Sequence, residues 1–309
     1  MPLALLFPGQ GSQYVGMGKD LSDAFPEARA VFDEADAALG FPISKVCFEG
    51  PEEELKRTAN TQPAILTHSI AALRVLEARQ PERVAGAVVA AGHSLGEYSA
   101  GVAAGAYAFA DAVRTVHFRG RFMQEAVPEG VGAMAAILGL VPDAVTLACK
   151  DAAVETGKIV SPANYNSPEQ TVIAGHAEGV ARASEICKER GAKKAVPLPV
   201  SAPFHCALMQ PAADRLGPVL DALAIEDPRI PIVTNVDAGA ARLRAEVRAA
   251  LARQVASAVR WVESVEAMAS MGVTGALEIG PGAVLAGLVR RIRKEITVTS
   301  IGKAEAFAS

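Results

Sequence analysis

The chain has 309 residues, half of them hydrophobic and 21% charged, with a formal net charge of −4. That length suits one large domain or one large and one small, and the charge gives no general reason to expect a nucleic-acid partner. Four scattered cysteines (Cys47, Cys149, Cys187, Cys206) form no C-x-x-C pair and the five histidines are dispersed, so neither a disulfide framework nor a metal site is expected. The stretch Met1 to Phe7 is apolar but stops at Pro8-Gly9, too soon for a membrane span or the apolar part of a signal peptide. No other segment reaches spanning length without a charge. The expectation is a soluble cytoplasmic protein with no membrane partner.

In chain order, Leu3 to Phe7 reads as a strand, followed by a glycine-rich turn at Gly9-Gln10-Gly11-Ser12-Gln13. Helices are predicted over Asp20 to Leu39 and Thr61 to Ala78, then a buried strand over Val84 to Ala91. Leu95 to Ala104 and Asp111 to Glu125 read as helices, the latter ended by Pro128 and Gly130. This alternation predicts an α/β architecture with parallel strands. From about Gly130 the rhythm changes. Strands at Ala133 to Gly139, Ile159 to Ser161, Thr171 to Ala174 and Lys194 to Leu198 interleave with helices at Pro142 to Ala153 and Ala177 to Arg190. That β-α-β-β-α-β order is ferredoxin-like and predicts a small inserted subdomain over 130–198, with 1–129 and 199–309 forming the large domain. The large domain resumes with a helix from about Ala207, a strand at Ile230 to Thr234 and a helix from Ala245 to Ala256. A strand at Gly275 to Ile279 then leads through Gly280-Pro281-Gly282 into a last helix.

The most informative motif is Gly92-His93-Ser94-Leu95-Gly96, a G-x-S-x-G between the predicted strand and helix. Such a turn exposes the serine hydroxyl and aims the amide of the next residue, Leu95, at a developing oxyanion. Its glycines avoid collisions with neighbouring backbone. A serine hydroxyl needs a base. Strand alternation points His93 elsewhere, His68 and His117 lie inside helices, and His176 sits in a turn. His205 lies in Val200-Ser201-Ala202-Pro203-Phe204-His205, where the chain re-enters the large domain, a usual place for a cleft. It is the leading base. No acid is singled out among Asp214, Asp227 and Asp237, so a backbone carbonyl is the expected orienting partner. The turn at Gln10 keeps two glycines of a dinucleotide loop but has Tyr14 where the third would stand, and no acidic residue follows a second strand suitably. Its better use is to present backbone N–H groups beside Ser94. Arg119, on a helix with one apolar face, suits either the surface or a carboxylate held by its planar donor fork.

These segments together resemble the malonyl-CoA:acyl carrier protein transacylases and the acyltransferase domains of fatty-acid and polyketide synthases. The resemblance spans essentially the whole chain. It rests on Phe7-Pro8-Gly9-Gln10-Gly11-Ser12-Gln13, Gly92-His93-Ser94-Leu95-Gly96-Glu97, Arg119-Gly120 with Met123-Gln124, Asn164-Tyr165-Asn166-Ser167-Pro168, Phe204-His205 and Glu278-Ile279-Gly280-Pro281-Gly282. It implies an α/β-hydrolase-like core with a ferredoxin-like small domain. Ser94 is then the nucleophile, His205 its base, the Gln10 and Leu95 amides the oxyanion hole, and Arg119 the clamp on the malonyl carboxylate. Gln254 matches the position whose backbone carbonyl orients the histidine. No cofactor is implied, since malonyl-CoA is a substrate, and the partner is acyl carrier protein.

Phe204 stands where many stand-alone members have serine. In modular synthases a phenylalanine there accompanies malonyl over methylmalonyl selection, a discrimination of about 10–200-fold for one methylene-sized clash. Carrier proteins are acidic, so Arg290, Arg291, Arg293 and Lys294, or Lys193 and Lys194, are candidate docking residues. A monomer is expected. The alternative readings are a serine esterase or thioesterase using the same Ser94 and His205, and a non-catalytic acyl-CoA-binding subunit.

Overall fold

Strand β1 (Leu3–Phe7) alternates in a way that explains the whole layer arrangement. Leu5 and Phe7 enter one buried cluster, and Ala4 and Leu6 enter another on the opposite face. A strand buried on both sides belongs inside a parallel sheet covered by helices on each face. In the computed structural model, which describes residues 2–200 and 202–307, β1 pairs in parallel with β2 (Ala87–Gly92). Met1, Ser201 of the predicted junction loop, Ala308 and Ser309 lie outside the described residues.

Beyond β2 the chain enters an antiparallel sheet built from β3 (Gly132–Leu138), β4 (Val160–Ser167), β5 (Gln170–His176) and β6 (Lys194–Pro197). Their order, β4-β5-β3-β6, is that of a ferredoxin-like sheet. Ala135 and Ile137 face the helices Pro142–Thr156 and Ala177–Glu189, whereas Met134 and Ala136 face the main core. The remaining strands are β7 (Ile232–Val233), β8 (Ala240–Ala241), β9 (Gly275–Ile279) and β10 (Thr297–Ile301). They complete a six-stranded sheet in the order β10-β9-β1-β2-β7-β8, parallel except for the β7–β8 pair. The fold class is therefore α/β, a mainly parallel sheet with a separate antiparallel one, as the sequence predicts.

Several elements depart from the predicted ones. The helix expected over 20–39 is two helices, Lys19–Ala24 and Pro26–Leu39. Phe25 is extended (φ −131°, ψ 120°) because a residue before proline is driven out of the helical region. The helix Trp261–Ser270 has no counterpart in the sequence reading. It buries Trp261, Val265 and Met268 at i, i+4 and i+7 against the outer face of the parallel sheet. Strand β10, also unpredicted, is an edge strand whose exposed positions carry Thr297 and Thr299. No helix among the described residues is long and apolar enough to cross a membrane.

Candidate active site

Strand β2 ends at Gly92, and the chain turns into the helix Gly96–Ala103 within three residues. The two glycines make that turn sterically possible. A Cβ on Gly92 would lie 1.9 Å from the Gly96 carbonyl carbon, and one on Gly96 would lie 2.0 Å from the Phe7 carbonyl oxygen. Between them Ser94 adopts φ 52°, a left-handed conformation that costs a non-glycine residue about 1–2 kcal/mol. Asn235, just beyond β7, braces this conformation. Its Oδ1 accepts from Ser94 N–H at 2.6 Å, its Nδ2 donates to Gly92 O at 2.7 Å, and its own N–H donates to Glu97 Oε2 at 2.8 Å.

His205 also has positive φ, 59°. Its Nε2 lies 2.7 Å from Ser94 Oγ, while Nδ1 lies 3.0 Å from Gln254 O and 3.1 Å from Ser257 O. Both carbonyls are acceptors only, so the ring proton sits on Nδ1 and Nε2 presents its lone pair to the serine hydroxyl. Burial, and then the nearby Arg119 cation, lower the His205 pKa to about 3. The imidazole is neutral, as a base must be before reaction.

Arg119, from the helix Phe109–Glu125, is only 1% exposed. Its Nη1 donates to Gln62 Oε1 at 2.8 Å, and its Nη2 to Gln254 Oε1 at 2.9 Å and Ser94 Oγ at 3.2 Å. The Tyr98 ring lies 5.5 Å beneath the guanidinium carbon, a favourable cation–π distance. Gln254 binds on several sides, because its Nε2 also donates to Ser94 O at 3.0 Å and to Glu97 Oε2 at 2.9 Å. Burial raises the Glu97 pKa to about 7, against the hydrogen bonds from Asn235 and Gln254 that favour its charged form.

These groups surround a cavity of about 120 Å³. Gln10, Ser94, Leu95, Arg119 and His205 line it together with Met134, Asn164 and Leu198 from the antiparallel-sheet side, and with Phe204. All six residues singled out from the sequence thus meet at one place: five line the cavity, and Gln254 lies buried behind Arg119 and His205. His93 differs from its expected direction. Strand alternation ends at Gly92, so its ring lines the same cavity, with Nε2 2.8 Å from Asn166 Oδ1 and Trp261 packed behind it at 5.7 Å.

A part-buried serine thus meets a buried imidazole at 2.7 Å, beside an arginine that binds no carboxylate among the described residues, an arrangement able to support nucleophilic acyl chemistry. The acyl transferase domain family matches residues 4–306 of this chain. The chain belongs to that family. The malonyl CoA-acyl carrier protein transacylase of Escherichia coli strain K12 is 50% identical over 306 residues, covering 99% of this chain and 97% of that protein. The Bacillus subtilis strain 168 protein of the same name is 49% identical over 303 residues, covering 98% and 94%. Among solved structures, the acyl carrier protein S-malonyltransferase of Vibrio cholerae O1 superposes with a TM-score of 0.95 at 47% identity, covering 100% of this chain and 99% of that one. A malonyl-transacylase in complex with its type II PKS acyl-carrier protein matches with the same TM-score and identity, covering 100% and 98%.

Two side chains at the centre of this acyl transferase site, Asn235 and Gln62, went unmarked in the sequence, and Glu97 stood in the elbow motif without a role of its own. Asn235 had a usable signal, since it follows a strand of the parallel sheet, where ligand-facing residues gather. Gln62 had none, because a buried glutamine inside a long helix looks like any other helical residue until Arg119 is seen to bind it.

Proposed function

We propose that the protein transfers the malonyl group from malonyl-CoA to the phosphopantetheine thiol of acyl carrier protein, in fatty-acid or polyketide synthesis. The observation that carries this reading is the Arg119 guanidinium, buried, 3.2 Å from the nucleophile, and hydrogen-bonded to no carboxylate among the described residues. In the first half-reaction Ser94 Oγ attacks the thioester carbon as its proton passes to His205 Nε2. The tetrahedral oxyanion is received by the backbone N–H groups of Gln10 and Leu95, worth about 3–4 kcal/mol each of transition-state stabilisation. Leu95 adjoins the N-terminus of the helix Gly96–Ala103, whose dipole favours that negative charge. Collapse expels the coenzyme A thiolate, which takes the proton from His205. In the second half-reaction the carrier thiol gives its proton to His205 and attacks the malonyl-serine ester, and Ser94 leaves with that proton restored.

The carbonyls of Gln254 and Ser257 do for His205 what a carboxylate does in many serine hydrolases, holding tautomer and orientation. The Ser94–His205 pair would serve an esterase too, but Arg119 beside the nucleophile and backbone carbonyls at Nδ1 favour acyl transfer over that reading. Phe204 lines the acyl cavity, so an α-methyl branch meets its ring. The same proposal treats 130–198 as a small lobe closing over the large lobe of 1–129 and 199–309, and a monomer as the working unit, since one chain supplies every residue named. The four cysteines are all buried and none is paired in a disulfide, which suits a cytoplasmic compartment.

For the carrier protein, Arg290, Arg291 and Lys294 line a second cleft of about 580 Å³ with Ser167, Pro168 and Glu169. Arg293 is engaged with Glu266 and Glu295, and Lys193 lies 3.7 Å from Glu169; of the candidates, Arg290, Arg291 and Lys294 share one cleft whereas Lys194 stands apart from it, which makes those three the stronger docking group. A transfer assay with malonyl-, methylmalonyl- and acetyl-CoA and a carrier protein tests the function. Malonyl should be strongly preferred and should need the thiol acceptor. Ester hydrolysis faster than transfer would favour the esterase.

A further inference from the structure

A guanidinium in a dry interior is normally held by a carboxylate, because an unpaired buried charge is costly. Arg119 is not held that way. Its side-chain partners besides Ser94 are two neutral amide oxygens, Gln62 Oε1 at 2.8 Å and Gln254 Oε1 at 2.9 Å. The neighbouring carboxylate, Glu97, spends Oε2 on Asn235 N–H and Gln254 Nε2, so the Gln254 amide stands between the acid and the cation. Gln62 is 1% exposed, and its Nε2 faces Met123 Sδ at 3.6 Å, one turn beyond Arg119 on the same helix. That contact turns the amide so that its oxygen, not its nitrogen, meets the guanidinium.

We propose that Gln62 is a specificity-determining positioning residue: its neutral amide orients Arg119 without cancelling the charge that must recognise the acyl carboxylate. The inference rests on the clamp role given to Arg119 above and adds why glutamine, not glutamate, stands opposite it. The two side chains are nearly isosteric, but a carboxylate at position 62 would pair with Arg119 permanently and compete with substrate from inside the protein.

The test is the ratio of kcat/KM for malonyl-CoA to that for acetyl-CoA, with KM and kcat resolved for each. In Gln62→Glu the ratio should fall by about tenfold or more, the difference between a charge-assisted and a neutral hydrogen bond, with the loss in KM for malonyl-CoA. Gln62→Met, of similar length and uncharged, should lower transfer of both acyl groups together and keep the ratio within about threefold, as the Arg119 charge survives. Equal losses for both acyl groups in Gln62→Glu would overturn the proposal, since packing alone would then explain the residue. Should Gln62→Glu fail to fold, Gln254→Glu places the same charge at the other amide and must lower the ratio likewise; an unchanged ratio there overturns the proposal equally. Arg119→Ala separates the two ideas. If it abolishes the malonyl preference while Gln62→Glu does not, the clamp stands and the role of Gln62 falls. If Arg119→Ala leaves the preference intact, the clamp reading itself is wrong.

Discussion

Ser94 and His205 both occupy left-handed backbone, at φ 52° and 59°. Strain of this kind persists only where surrounding bonds over-determine it, and here Asn235, Gln254 and Ser257 do so. At this scale the chemistry depends on charge as much as on position. Arg119→Ala should lose about 100-fold or more of malonyl transfer, as a charge-assisted bidentate contact disappears, while acetyl transfer falls much less. Equal losses would remove the clamp. The pH dependence follows from the His205 environment. An ordinary histidine titrates near 6.5. Burial lowers this one to about 3, so the base stays neutral well into the acid range and loading should not lose activity with a midpoint at 6.5. Rapid-quench loading rates from pH 5 to 8 check this. Burial raises Glu97 to about 7, so a step near that pH is expected to come from Glu97 and to vanish in Glu97→Gln.

The element that organises the site is the turn between β2 and the helix Gly96–Ala103. Gly96→Ala would drive a methyl group onto the Phe7 carbonyl, 2.0 Å away, and backbone cannot yield as a side-chain tip can. The expected cost is about 1–3 kcal/mol, seen as a lower Tm together with lost acylation of Ser94. An unchanged Tm with normal loading would show the turn to be looser than described. This element was legible in advance, because an apolar run, two glycines and a proline-free helix are local signals. The β-α-β-β-α-β order was equally legible for the same reason. The helix Trp261–Ser270 was not. Its apolar stripe follows a short loop with no capping side chain, and Arg260 at its N-cap gives no start signal. Nor could periodicity reveal that Asn235 and Gln62 reach the site, since each is fixed by partners 141 and 57 residues away along the chain.

For the whole molecule, the site exists because two sheets face each other across it. Met134 and Asn164 come from the antiparallel sheet, while Ser94 and His205 belong to the parallel-sheet body. The isolated bridge between Asn164 and Val259, with Tyr165 N–H donating to Val259 O at 2.9 Å, ties β4 to the chain just before the helix Trp261–Ser270. Docking belongs to this scale too. Reversing Arg290, Arg291 and Lys294 to glutamate should raise KM for carrier protein by about tenfold or more while malonyl-CoA still loads Ser94, because rim charges act mainly on encounter. An unchanged KM would move the docking surface elsewhere.

The central claim is that Ser94, activated by His205 beside Arg119, carries the malonyl group as an ester. Intact-protein and peptide mass spectrometry after brief mixing with malonyl-CoA tests it most directly. The account predicts one malonyl adduct, located on Ser94, discharged by a carrier thiol and absent from Ser94→Ala. An unmodified wild-type protein that nonetheless transfers malonyl, or an adduct on another residue, would contradict it.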